Sequence, residues 1–348
     1  MKAITVQPGV AGSASLEDMP EPHVREGAVL VEAIAVGVCG TDVEIVDGKY
    51  GWSPPGSDRL VLGHESLGRV VDPGGARALK TGDLIVGIVR RPDPVPCPNC
   101  AVGEWDMCRN GRYTERGIKE LHGFMSQRWR IEPEYAMKVD PSLGLLGVLL
   151  EPTTVVAKAW EQVTAVGQRA FWEPRHVLVT GAGPIGLLAA LLGKQRGLDV
   201  HVLDRVTTGS KPELVRQLGA TYHSCRATDV GFQPDIIIEC TGAGPVISDA
   251  LRSVAAGGIV CLTGVGTGGR TTGMLADVAA TLVLQNNVIV GSVNANKRHW
   301  YKAGESLLRA DLSWLSHLVT RRERPEDFMR ALARQPDDIK VIVQFADP

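Results

Sequence analysis

Two scattered groups of residues in this chain have the chemistry of metal ligands. The first lies in 93-DPVPCPNCAVGEWDMC-108, where Cys97, Cys100 and Cys108 are spaced C-x2-C-x7-C. Thiolates at such short spacings suit zinc, although a closed structural site takes four ligands and only three cysteines are present. The second group comes from 39-CGTD-42, 63-GHE-65 and 151-EP-152, which supply Cys39, His64, Glu65 and Glu151. Thiolate, imidazole and carboxylate together form a zinc ligand set, and three protein ligands would leave one position open for substrate. Zinc in such a site acts as a Lewis acid on an alcohol oxygen, lowering its pKa so that hydride can be expelled near neutrality. Thr41, two residues from Cys39, could relay the proton. By sequence alone these residues are far apart, and an isolated histidine or cysteine is as readily structural.

A cofactor signature is more local. In 176-HVLVTGAGPIGLLAALLG-193, Gly181, Gly183 and Gly186 form G-x-G-x-x-G between a strand pattern and a helix pattern, with Pro184 and Ile185 inside the motif. The first glycine permits the tight turn, the second lets backbone approach a pyrophosphate, and the third lets the helix pack on the strand. The helix N-terminus adds free N–H groups and a partial positive charge. Asp204 ends the next strand, 18 residues after Gly186. A carboxylate there accepts hydrogen bonds from ribose hydroxyls and repels a 2′-phosphate, which favours NAD slightly over NADP. Arg205 and Lys211 keep NADP open. Thr263, Gly264 and Val265, and Ser292, Val293 and Asn294, follow later strands, where ligands of such sheets bind.

The elements that position these residues change character near residue 150. Before it, short alternating runs such as 29-VLVEAIAVGVC-39 and 84-LIVGIV-89 are broken by Gly and Pro, as in a β-rich unit. After it, apolar strands at 176–181, 199–204, 235–240, 258–264 and 288–293 alternate with helices at 184–196, 211–218 and 245–256. That alternation is the pattern of a parallel sheet covered on both faces. The tail reads as helix over 303–319 and strand over 340–345. The expected organisation is an α/β chain: a β-rich catalytic domain over 1–153 and 301–348, with a doubly wound dinucleotide-binding domain over 154–300.

Composition excludes other classes. The chain has 348 residues, 44% hydrophobic and 22% charged, with a formal net charge of −2, so it lacks the basic excess that nucleic acid demands. The densest charge run, 321-RRERPED-327, reads as a solvated helix start. The N-terminus is not laid out as a signal peptide, and 184-PIGLLAALLG-193 is too short to span a bilayer, so a cytoplasmic protein is expected. Cys225, Cys240 and Cys261, dispersed among apolar strands, are expected to be inert and buried.

CGTD, GHE followed by GRV, the cysteine lobe and GAGPIG together resemble the zinc-dependent medium-chain dehydrogenases over essentially the whole chain. The segments 36-VGVCGTDVEIVDGKYG-51, 111-GRYTERGI-118, 122-HGFMS-126 and 294-NANKRHW-300 are similar to the archaeal-type glucose dehydrogenase branch. The resemblance implies a GroES-like catalytic domain and a Rossmann domain, with catalytic zinc at Cys39, His64 and Glu151 and Glu65 as a ligand or close neighbour. It further implies sugar contacts from Thr41, Glu115 and Asn294, and a homodimer or homotetramer. The family's structural zinc uses C-x2-C-x2-C-x7-C, whose first cysteine falls here at Pro94. Proline cannot ligate, and Asp93 beside it is the expected replacement, giving a Cys3Asp site. The implied reaction is NAD(P)-linked oxidation of an aldose at C1 to the lactone. A polyol, amino-polyol or secondary-alcohol dehydrogenase is the alternative within the family. A zinc-independent reductase and a nucleic-acid-binding zinc protein are the alternatives outside it.

Overall fold

The computed structural model describes residues 1–266 and 275–347. The chain folds into two compact units, one comprising Met1–Glu151 with Ala295–Pro348 and the other Pro152–Asn294. The return to the first unit therefore begins at Ala295, a few residues before the expected boundary.

The first unit is built on a sheet ordered Ala136–Lys138, Leu84–Gly87, Glu65–Asp72, Val29–Gly37, Lys340–Gln344 and Val319–Glu323, with Arg128–Ile131 also pairing to Val29–Gly37. Val29–Gly37 is its central element. Every side chain from Ala33 onward in that strand is buried, so the solvent-facing alternation seen at its start is lost where the neighbours crowd in. Antiparallel pairing sets Gly37 opposite Glu65 on one side and opposite Ile342 on the other. Residues distant in sequence are thereby brought side by side.

Only the second half of the charge run at 321–327 is a helix start: Pro325–Asp327 leads into the helix Phe328–Leu332, with Asp327 at its N-cap, while the first half of the run is strand. Val319–Glu323 is a strand, and a 3-10 turn follows at Pro325–Asp327. Arg321 is tied into an ion-pair network, bonding Asp338 (2.7 Å) and Glu323 (3.0 Å) and donating to the carbonyls of Arg330 and Ala333. β-Sheet pairing with Lys340–Gln344 overrides the polar local sequence.

The second unit holds six parallel strands in the order Thr221–His223, Asp199–Leu203, His176–Thr180, Ile236–Glu239, Ile259–Leu262 and Val288–Gly291. Strand order reverses at His176–Thr180, which creates the switch point where doubly wound sheets bind ligands beyond their carboxyl ends. The strands are almost wholly apolar because helices cover both faces. Val177, Leu178, Val179, Ile237 and Ile238 are completely buried, each worth roughly 1.5–3 kcal/mol of transfer free energy. Helices Pro184–Lys194, Ser210–Gln217 and Gly244–Ser253 lie at the expected places, one to three residues shorter at their ends.

While 184–193 is too short, as expected, the helical stretch 141–167 is long and apolar enough, by length and composition, to cross a membrane. It is a 3-10 segment, Pro141–Leu149, kinked at Gly144 and running into the helix Leu150–Gly167. Its most apolar window is 72% buried within the protein, as a core helix is. Cys225 also departs from expectation. It is exposed, in the loop after Thr221–His223, whereas Cys261 is buried and Cys240 partly so.

Candidate active site

Cys39, His64 and Glu65 converge in the first unit, with their donor atoms all within 4.8 Å of one another. Cys39 caps the helix Gly40–Val46, while His64 and Glu65 lie at the start of the strand paired to Val29–Gly37. His64 and Glu65 are 5% and 2% exposed, so neither carries its polarity for solubility.

Two residues not singled out by sequence complete the cluster. Asp42 is fully buried at the third position of the helix. One of its oxygens accepts the Cys39 N–H at 2.8 Å, and the other lies 3.5 Å from His64 Nδ1. The contact is an ion pair not aligned as a hydrogen bond, and a carboxylate behind Nδ1 is the placement that leaves Nε2 for a metal. Burial alone would lower the His64 pKa, but the Asp42 charge and hydrogen bonding more than offset it and hold the imidazole well above its ordinary value. The local signal was present in the C-G-T-D spacing, which is the geometry of a capping box with cysteine in the cap position.

The second is Lys340, 2% exposed, whose ammonium donates to both oxygens of Glu65 at 2.7 and 2.5 Å and to the Val38 carbonyl at 3.1 Å. Burial opposes this charge, while Glu65 and Cys39 raise its pKa above the usual lysine value. Gly37 makes the arrangement sterically feasible, because any side chain there would collide with the Glu65 carboxylate.

Glu151 is buried at the start of the long helix and lies outside the group of Cys39, His64 and Glu65. Desolvation pushes its carboxyl up to about 7, opposed by the His64 and Lys340 charges and reinforced by Glu65 and Glu115. Thr41 Oγ1 lies 4.0 Å from Cys39 Sγ. Glu115 is not a solvated loop charge. It is 6% exposed in the strand Thr114–Arg116 and accepts from Arg90 Nε at 3.0 Å, while the Arg90 guanidinium also covers the Tyr113 ring. The thiol, imidazole and carboxylate donors, the imidazole and carboxylate each backed by a buried partner, fit zinc with an open position.

In the second unit the glycine motif does what its spacing implies. Gly181 has φ +92°, a conformation other residues avoid, and it terminates the strand His176–Thr180. Open space surrounds the missing side chain of Gly183, whereas a side chain at Gly186 would strike the Gly181 carbonyl. Pro184 and Ile185 begin the helix whose N-terminus faces that open space. Asp204 bonds the turn itself, with one oxygen accepting the Ala182 N–H at 2.6 Å and the other the Val206 N–H at 3.3 Å. Arg205 follows it directly.

Thr263 donates to the Glu239 carbonyl at 2.8 Å, and Gly264 packs so tightly on the 241–242 backbone that no side chain fits. Val265 and Val293 are exposed, Ser292 is buried with its hydroxyl unpaired in the structure, and Asn294 has φ +60°. Buried Glu239, which sequence reading passed over inside an apolar strand, accepts from Thr180 Oγ1 and the Thr241 and Gly242 N–H groups and so shapes the loop.

The cysteine lobe brings Cys97, Cys100 and Cys108 within the same 4.8 Å criterion. N–H donation from Arg109 and Cys100 lowers the Cys97 thiol to about 6, and burial raises Cys100 to about 11. Asp93 does not join the sulfurs. Its carboxylate accepts from the Val95 N–H (2.8 Å), Asn110 Nδ2 (2.7 Å) and Arg112 Nε (3.3 Å). Asp93 is thus not among the donors gathered with the three sulfurs, and its carboxylate braces the lobe.

Comparison with known proteins places these features in one family. Residues 144–345 match the glucose dehydrogenase C-terminus, and residues 25–141 match the alcohol dehydrogenase GroES-like domain. The chain is 38% identical to glucose 1-dehydrogenase 2 of Vulcanisaeta moutnovskia over 351 residues, covering 99% of each protein. It is 39% identical over 351 residues to glucose 1-dehydrogenase 1 of Caldivirga maquilingensis, again covering 99% of each. Among solved structures it resembles the Haloferax mediterranei glucose dehydrogenase in complex with NADP, zinc and gluconolactone, with TM-score 0.92 and 32% identity over the whole of both chains. The chain belongs to the glucose dehydrogenase family of zinc-dependent medium-chain dehydrogenases.

Proposed function

We propose that this enzyme oxidises an aldose of the glucose type at C1 to the lactone, transferring hydride to NAD(P). The observation that carries the reading is the buried cluster of Cys39, His64, Asp42, Glu65 and Lys340, a ligand set with its orienting partners. The Haloferax relative was solved with NADP, zinc and gluconolactone, which supports both the reaction and its cofactors.

Cys39, His64 and Glu151 would hold zinc, which supplies Lewis acidity toward the C1 hydroxyl when bound. We take Glu151 as the third ligand because both Glu65 oxygens are engaged by Lys340. Asp42 orients His64, and Lys340 neutralises Glu65, so that the site does not concentrate two free carboxylate charges. Thr41 stands beside Cys39, where its hydroxyl can pass on the proton released from the substrate. Glu115 and Asn294 would bind sugar hydroxyls.

In the second unit the Gly181–Gly186 turn holds the pyrophosphate and Asp204 the adenosine ribose. Arg205 accommodates a 2′-phosphate, so the enzyme uses both cofactors, with Asp204 giving NAD a slight advantage. The strand Val288–Gly291 ends the parallel sheet among the described residues and carries the exposed Ile289, which makes it the pairing edge of a homodimer or homotetramer. Steady-state kinetics over aldoses, polyols and secondary alcohols with both cofactors test the reading. Turnover of glucose or a related aldose, with lactone as product, supports it, and turnover of a polyol alone sinks it.

A further inference from the structure

We propose a further divalent-metal site in the second unit, formed by His176, Asp199 and His201 and taking Zn2+ or another ion that favours imidazole nitrogen. Strand register builds it. His176 and Asp199 begin neighbouring parallel strands as direct partners, and His201 lies two residues beyond Asp199 on the same face. His176 stands at the opposite end of its strand from Gly181, so the cluster is separate from the dinucleotide turn.

The donor spacing fits one ion. His176 Nδ1 is 3.2 Å and His201 Nε2 3.4 Å from the same oxygen of Asp199, and all three donors lie within 4.8 Å of one another. Ligands about 2.1 Å from a tetrahedral zinc are separated by about 3.4 Å.

Three further features favour ligation over a plain ion pair. His176 Nδ1 is inaccessible to water, and its contact with Asp199 Oδ2 at 3.2 Å is not aligned as a hydrogen bond. The other nitrogen of His201 is engaged at 2.8 Å by His223 Nε2, the kind of outer hydrogen bond that fixes a ligating imidazole. Phe232 packs against all three rings, 4.1 Å from His201, and holds them in place. Imidazole and carboxylate without sulfur suit Zn2+, Ni2+ or Cu2+. Such an ion would tie two adjacent strands together far from the dehydrogenase chemistry.

The test uses the full, untagged enzyme, dialysed against a weak chelator until only the zinc of the first unit remains, with Ni2+ as probe, comparing wild type with His201→Asn and His176→Asn by equilibrium dialysis and elemental analysis. Wild type is expected to take up one more Ni2+ per chain than either variant, with at least a tenfold weaker affinity in the variants. Its melting midpoint should rise on adding Ni2+ while theirs does not. Unchanged cofactor-binding fluorescence would establish that the variants fold. Should they not fold, diethylpyrocarbonate labelling of wild type decides, since His176 must be protected by Ni2+ if it ligates. Equal uptake by wild type and folded variants, or labelling of His176 indifferent to Ni2+, overturns the site.

Discussion

Asp42 is the residue whose change most directly tests how this site is built. Replacing it as Asp42→Asn keeps the shape and one acceptor oxygen but removes the charge. The Cys39 N–H, donated at 2.8 Å, would then meet a neutral acceptor instead of a carboxylate. Charged hydrogen bonds are worth about 1.5–3 kcal/mol and neutral ones about 0.5–1.5, so roughly 1 kcal/mol is lost there. Removing a negative charge from the first turn of Gly40–Val46 costs about 0.3–1 kcal/mol more. The unfolding free energy should therefore fall by about 1–2 kcal/mol in denaturant titration.

The effect on the metal is separate and larger in consequence. Asp42 lies 3.5 Å from His64 Nδ1 and is the carboxylate behind the ring. Losing such an outer partner weakens metal affinity or activity about 10- to 100-fold. Zinc competition with a chromophoric chelator measures the first, and kcat/KM at saturating zinc the second. Loss of occupancy alone is restored by excess zinc, whereas a misaligned imidazole leaves kcat depressed. If Asp42→Asn holds zinc within twofold of wild type and keeps its kcat, the carboxylate is only a helix cap and the reasoning fails.

Other expectations follow from the same contacts. Glu151→Gln should remove zinc from the active site while Glu65→Gln retains most of it, as elemental analysis would read; the reverse result would make Glu65 the ligand. Two zincs per chain are expected from the sites of the first unit, with Cys100→Ser lowering that count by one and Asp93→Asn leaving it unchanged, because the Asp93 carboxylate is held by Val95, Asn110 and Arg112. Asp338 is held below its ordinary pKa of 3.8 chiefly by its hydrogen bond to Arg321, so its contribution is present above the unfolded value and is lost as pH falls through the lower folded value. Asp338→Asn should thus cost about 2 kcal/mol at neutral pH, and its melting difference from wild type should close in acid. Iodoacetamide should label exposed Cys225 at neutral pH and spare Cys240 and Cys261, whose thiols burial pushes up to about 12; labelling of Cys261 in the native enzyme would contradict its burial.

The parts of this protein legible in sequence are those whose causes are local. The glycine motif could be read because turn, approach and packing each need a missing side chain at a fixed offset, and each need is visible at Gly181, Gly183 and Gly186. Strands such as 236-IIIE-239 announce themselves because burial on both faces removes alternation. The first half of the charge run at 321–327 is strand because of pairing with Lys340–Gln344 and the bond to Asp338, which are tertiary facts. Asp93 is a related case. A carboxylate beside the missing cysteine has the chemistry of a ligand, and the bonds it accepts from Asn110 and Arg112 cannot be read from the cysteine spacing.

Lys340 marks the limit of local reading most sharply. In 340-KVIVQF-345 it opens an apolar strand, and the nearby Asp338, being bonded to Arg321, is not its counter-charge. Its position is instead set by register, with Ile342 opposite Gly37 and Gly37 opposite Glu65. Burying an ammonium and a carboxylate costs several kcal/mol per ion, which only close geometry and satisfied hydrogen bonds offset. Both are met here, since the ammonium reaches both Glu65 oxygens and the Val38 carbonyl. Removing either partner would strand a charge beside Cys39 and His64. The return of the chain after residue 295 therefore does more than close a sheet: it delivers, more than 270 residues from Glu65, the cation that allows a carboxylate to lie beside the metal ligands.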